Sequence, residues 1–242
     1  MKTVELDRTS EELMPKQAGF GGFMRSVMAV LLKDLRCELR TRHALGAVLL
    51  FSVTSTVAVS FIIGAWGSKS AIASALLWLV LYFSAMSGLS RAFVHEEETY
   101  TSNTLKLAAC PNAVYLGKLA FNLVMLILVE LVTVPLFITL AGCSIYRLGL
   151  FIALLLLGSL GMCAGATMAA AMVAKAAVKG ALFAVVSFPL LIPVLAVSIH
   201  GTNIAMDSQA VSSAASDVRL LCYYCGAVIT ASLILFRFIW ED

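Results

Sequence analysis

The sequence predicts an all-α, polytopic membrane protein: six transmembrane helices preceded by an amphipathic interfacial helix, the plan of an exporter-type permease. Three observations predict it. Of 242 residues, 61% are hydrophobic and 13% charged, whereas a soluble domain carries about 25% charge and 45–50% apolar residues. The apolar residues gather into runs of about 20, the length that crosses a hydrocarbon layer about 30 Å thick. Those runs are apolar on every side, so they lack the period-two alternation of a closed barrel, the other spanning solution.

Residues 1–22 are polar, lack an apolar period and end in Gly21-Gly22. A mobile cytoplasmic tail is expected there. Its Glu5, Asp7, Glu11 and Glu12 argue against an acid-poor transit peptide, and the first apolar run starts too late for a cleavable signal peptide. Over residues 23–43 the pattern changes. Met24, Val27, Met28, Leu31, Leu35 and Leu39 recur at helical spacing, and Arg25, Lys33, Arg36, Arg40 and Arg42 cover much of the rest. That pattern fits a helix in the headgroup layer, cations toward lipid phosphates, better than one packed on protein.

Residues 44–242 then form the transmembrane domain. Its spans are expected at Ala44–Ala65, Ala71–Ser90, Leu119–Ala141, Leu148–Val173, Gly180–Ile199 and Val218–Ile239. Lys and Arg set the orientation. Fourteen lie on the side of the N-terminus, Arg91, Lys106, Lys118, Lys175, Lys179 and Arg237 among them. Lys69, Arg147 and Arg219 are the three on the other. The excess puts both termini in the cytoplasm.

The longest polar break is Arg91–Lys118, RAFVHEEETYTSNTLKLAACPNAVYLGK. It contains the acidic triplet Glu96-Glu97-Glu98, a short amphipathic piece over Thr104–Ala109 and then Pro111. We read it as a cytoplasmic coupling loop on which a soluble partner pulls. Glu96, Glu97, Glu98, Thr104, Leu105, Leu107, Pro111 and Lys118 are its candidate docking residues. No soluble domain of about 100 residues fits elsewhere in the chain.

Few residues offer chemistry, and no catalytic residue is expected. Gly67-Ser68-Lys69-Ser70 lacks the leading glycine and the strand–helix setting of a phosphate loop. ATP-driven work must therefore come from another chain. His43, His95 and His200 are far apart in sequence; a lone His near a membrane surface is usually just solvated. His200, where the fifth span leaves the membrane, is the one placed to meet a ligand on the outer side. Cys222 and Cys225 have redox-pair spacing, but they open a membrane helix, where that spacing serves packing. The remaining cysteines form no cluster, so no metal site is expected.

Glu130 lies mid-span, where a carboxylate costs about 2.5–3.5 kcal/mol by insertion scales. It must be protonated, paired or facing a wet interior. That leaves either a polar spot on a pathway or a hydrogen bond locking two helices. Pro135, Pro189 and Pro193 sit inside spans, where proline removes a backbone donor. Pro189 and Pro193 are expected to make the fifth span irregular near its middle. Gly158, Gly161 and Gly165, followed by Ala169–Ala171, give the fourth span a small face for close helix contact.

Four stretches together resemble the haem exporter B (CcmB-like) family. They are the basic LLKDLRCELRTRHAL, the loop's TLKLAACPNAVYLGKL after its acidic cluster, NLVMLILVELVTVPLF with Glu130 and Pro135, and FPLLIPVLAVSIHGT with Pro189 and Pro193. The resemblance covers roughly Val30 to Ile239. It implies a non-catalytic permease subunit of the ABC transporter of cytochrome c maturation, in a bacterial inner membrane. Implied partners are a cytoplasmic ABC ATPase docked on the 91–118 loop, other maturation membrane subunits and a periplasmic haem chaperone. Two copies per complex are implied, and no nucleic acid. No cofactor is expected on the chain itself: ATP is bound by the partner, and haem enters only as a transported ligand. Two other readings stay open: an ABC-2 permease exporting a drug, lipid or polysaccharide, and a membrane thiol oxidoreductase using Cys222 and Cys225.

Overall fold

The computed structural model describes residues 20–41, 43–66, 70–89, 105, 109–174, 179–207 and 214–241. The expected tail and most of the 91–110 loop lie outside them. The described elements are α1 (Phe20–Thr41), α2 (His43–Trp66), α3 (Ser70–Leu89), α4 (Pro111–Ala141), α5 (Leu148–Val173), α6 (Lys179–Met206) and α7 (Ala214–Glu241). The last six are long and apolar enough to cross a membrane.

Helix α1 meets three surroundings around its circumference. Phe23, Val27, Val30 and Asp34 turn inward against α4. A second apolar strip, Met24, Met28, Leu32 and Leu39, stays 42–51% exposed, and Arg25, Lys33, Arg36 and Arg40 complete the circle in the open. The sequence had set lipid contact against protein contact as alternatives; the structure packs one strip of α1 on α4 and leaves the other apolar strip exposed. At its end, Glu38 Oε1 accepts the backbone N–H of Leu45 at 2.8 Å. That satisfies one of the donors a helix start leaves open and fixes the bend into α2.

Helix α4 begins eight residues before the expected span, at Pro111. Proline suits a first helical position because its fixed φ is already helical and its missing N–H would have no partner there. The end of the expected coupling loop is therefore the first two turns of a membrane helix. At its other end, Gly142 takes a left-handed φ of 63° and turns the chain toward α5.

Helix α5 is the centre of the bundle, touching α3, α4, α6 and α7. From Gly158 to Ala171 every residue but Leu160 is buried. Its small residues explain how. A Cβ on Gly158 would come within 2.2 Å of the Trp78 ring, and one on Gly165 within 2.9 Å of Leu191. Lipid tails are as apolar as leucine, so close packing of this kind has to hold the helices together. Trp78 fills the notch at Gly158 and donates its indole N–H to Thr202 Oγ1 at 2.8 Å, joining α3 to α6.

Helix α6 runs unbroken through Pro189 and Pro193 and continues past the expected Ile199 to Met206. The irregularity expected there is not a break. The Tyr224 hydroxyl of α7 donates to Leu190 O, in the turn that Pro193 opens. Pro193 leaves the carbonyl of Pro189 without its helical donor, and the neighbouring helix places its hydroxyl on the next carbonyl along.

Candidate functional site: a polar seam along the fourth and fifth helices

One face of α4 carries Tyr115, Lys118, Asn122, Leu126, Glu130, Thr133 and Phe137 at spacings of three and four, all buried. Polar groups in a membrane core need partners, and α5 provides them. Asn122 Nδ2 donates to Thr167 Oγ1 at 2.8 Å. Thr167 donates its own hydrogen to Cys163 O at 2.6 Å. Eight residues further along α4, Glu130 Oε1 hydrogen-bonds Ser159 Oγ, which lies eight residues earlier on antiparallel α5. Ser159 also donates to Leu155 O at 2.7 Å. The two rungs have one design: the α5 hydroxyl bonds back to its own helix and is met by a group from α4. A hydroxyl has one hydrogen. Ser159 directs it to Glu130 Oε1 and to Leu155 O, so the carboxyl of α4 accepts at the second rung where the Asn122 amide donates at the first. Of the two readings of Glu130, this geometry matches a bond that locks helices.

Below the rungs, Tyr115 Oη donates to Ala164 O at 3.2 Å, and its ring packs 5.5 Å from that of Phe236 on α7. Lys118 Nζ then meets Asp34 Oδ2 of α1 at 3.2 Å, with 3% and 10% of the side chains exposed. A Cβ on the adjacent Gly117 would lie 2.7 Å from Val30 Cβ, so α1 and α4 touch almost backbone to side chain. The sequence placed Lys118 on the solvent side of the span boundary as a docking residue. The structure turns it inward, onto α1.

Of the other expected docking residues, Leu105 and Pro111 are described. Leu105 is half-buried against the core, and its carbonyl accepts the N–H of Ala109 at 3.1 Å. Glu96, Glu97, Glu98, Thr104 and Leu107 lie outside the described residues, as does His95. Pro135 is exposed on α4, and Pro189 and Pro193 are exposed on α6. Cys222 is exposed, whereas Cys225 turns inward and donates to Leu157 O at 3.3 Å. The pair therefore does not share one surface.

At the end of the bundle away from α1, His200 Nδ1 meets Asp217 Oδ2 at 2.9 Å, with 61% of the His and 10% of the Asp side chain exposed. A Cβ on Gly201 would approach Asp217 Cβ to 3.3 Å and the Leu154 side chain to 2.8 Å, so three helices converge behind the carboxylate. Among the described residues no group of three His, Cys, Asp or Glu is placed to hold a metal ion.

Asn122, Ser159, Thr167, Asp34 and Asp217 were not singled out in the sequence. A signal existed for the first three. Asn122 and Glu130 in one span, and Ser159 and Thr167 in the next, are both eight apart, so two antiparallel helices bring both pairs level at once.

No curated protein matches the chain. The family model described as CcmB protein matches residues 25–240, nearly the whole chain, and includes α1, the polar seam and the His200–Asp217 contact. The chain therefore belongs to the CcmB family and is a membrane component of the haem-export ABC transporter of cytochrome c maturation.

Proposed function

We propose that this permease subunit receives the work of ATP hydrolysis from a cytoplasmic ATPase at the junction of α1 and α4. That work drives haem export, or release of a haem-loaded periplasmic chaperone. The protein sits in a bacterial inner membrane with both termini cytoplasmic, two copies per complex. Other maturation membrane subunits stand beside it. The ATPase docks on the loop around Glu96–Glu98, Thr104 and Leu107.

The buried Lys118–Asp34 pair carries this reading. It fastens α1 to the first turns of α4, directly beyond that loop. A force on either the loop or α1 therefore reaches the same helix. From Lys118 the seam continues through Asn122 and Glu130 into α5, the helix with the most buried run. Helix pairs linked in this way rock as rigid bodies rather than deform, because packed interiors have discrete arrangements.

The test is reconstitution of the whole complex with Lys118→Met. The ATPase should still co-purify and hydrolyse ATP, while covalent haem attachment to c-type cytochromes falls. Full haem attachment with this variant would overturn the reading. Recovery of no nucleotide-binding partner with the tagged wild-type chain would overturn it too. Labelling of residues near Glu97 from the periplasm of intact cells would reverse the orientation.

A further inference from the structure

Helix α1 (Phe20–Thr41) presents three strips around its circumference. On the first, Val30 lies against Gly117 of α4 and Asp34 meets Lys118. On the second, Met24, Met28, Leu32 and Leu39 are exposed. On the third, Arg25, Arg36 and Arg40 are exposed. Their spacings of eleven and four are about three turns and one turn, so they form a row about 22 Å long. Lys33 flanks that row, but Asp34 Oδ1 engages its Nζ at 3.0 Å. Arg25, Arg36 and Arg40 make no ion pair with the described residues. At about 100° per residue, the arginine row and the α4 contacts fall on opposite flanks of the apolar strip.

The depth of α1 follows from its neighbours. Helix α2 starts at His43, two residues after α1 ends. Glu38 Oε1 accepts the backbone N–H of Leu45 at 2.8 Å, and Leu45 opens the first apolar span. Helix α1 therefore lies where the chain enters the bilayer. A helix at that boundary turns its apolar strip toward the acyl chains, while long cationic side chains on its flank reach headgroup phosphates. The other flank is the one α4 occupies. A second copy of this chain would bring a second row of the same charge, which opposes pairing there. An anionic headgroup complements the row. A zwitterionic headgroup does not, because it balances its own phosphate. Each arginine near an anionic surface is worth about fivefold in binding.

We propose that this face of α1 docks on anionic phospholipid, with Arg25, Arg36 and Arg40 paired to headgroup phosphates and Met24, Met28, Leu32 and Leu39 in the outer acyl layer. The lipid then bears on α4, because the Asp34–Lys118 and Val30–Gly117 contacts tie α1 to it. Such a contact needs neither nucleotide nor a partner subunit, so it stands apart from the coupling reading.

The full chain in non-ionic detergent is titrated with phosphatidylglycerol and, separately, with phosphatidylcholine, and bound lipid is counted by native mass spectrometry. The first phosphatidylglycerol should bind more tightly than the first phosphatidylcholine by about tenfold or more. Arg25→Gln, Arg36→Gln and Arg40→Gln should each weaken it by about fivefold, whereas lysine at the same three positions should keep it. In the whole complex with its ATPase, benzoylphenylalanine in place of Leu32 should attach phospholipid on illumination. Equal binding of the two lipids overturns the proposal, and so does an unchanged preference in the chain with all three arginines replaced by glutamine. Attachment of the ATPase polypeptide at position 32 overturns it too, since the strip would then be a protein-docking face. The titration contains no partner. Its failure leaves the coupling reading intact, and a chain that recovers no ATPase should still show the lipid preference.

Discussion

Lys118–Asp34 at the α1 end and His200–Asp217 at the far end both join neighbouring helices through an acid and a base, at 3.2 and 2.9 Å. The acids are equally buried. The bases are not: 3% of the Lys118 side chain is exposed against 61% of His200. A cation with almost no water around it depends on its protein partners, so losing the acid is costly, whereas Asp34 also meets the half-exposed Lys33 at 3.0 Å. An imidazole held by one nitrogen and open at the other keeps a free valence. The first pair is a fastener and the second is a fastener with a working end.

The largest expected break in this comparison is Lys118→Ala, which removes the buried cation and leaves Asp34 to the half-exposed Lys33, 3.0 Å away; the loss is expected at about 3 kcal/mol, the low end for a broken buried pair. It should lower the midpoint of detergent-induced unfolding of the reconstituted chain more than any change at His200. Replacing both members, Asp34→Leu with Lys118→Met, should recover most of that loss, since apolar replacement of a buried pair is often neutral. Recovery in stability without recovery of haem attachment would separate fastening from force transmission.

Gly117→Ala comes next. Its Cβ would press on Val30, an overpacking that costs about 1–3 kcal/mol. Val30→Ala in the same chain should relieve it, which a double-mutant unfolding cycle would read. The Glu130 rung is subtler. Glu130→Gln, whose amide oxygen can accept from Ser159 as the carboxyl does, should stay within about 1 kcal/mol of the wild type, the size of one net hydrogen bond. A large loss in that variant would show that a carboxylate is needed there. The smallest effect is His200→Ala, expected at about 0–1 kcal/mol because one partner is solvated. A larger loss would make the far pair a fastener like the first.

Hydropathy read along the chain located all six spans and the amphipathic helix before them. Glu130 and the small face at Gly158, Gly161 and Gly165 were legible too. Each is unusual for its own segment whatever surrounds it. The partners were not legible, because partnership is a property of two segments. Lys118 counted as a loop cation, but the helix α4 already starts at Pro111 and α1 brings Asp34 against that lysine.

The same limit applied to the prolines of α6. In the sequence they read as an interruption, since nothing in that helix can replace the missing donor. In the fold the helix continues through both prolines, and Tyr224 of α7 braces it at Leu190 O, one carbonyl beyond the one Pro193 leaves open. The chain by itself determined that lipid is its solvent and how often it crosses, because transfer energy adds up residue by residue within a segment. Only the packed structure decided which polar groups are locked and which stay open. A buried polar group's energy depends on whether a second helix brings it a partner, and spacing along one strand of sequence does not record that.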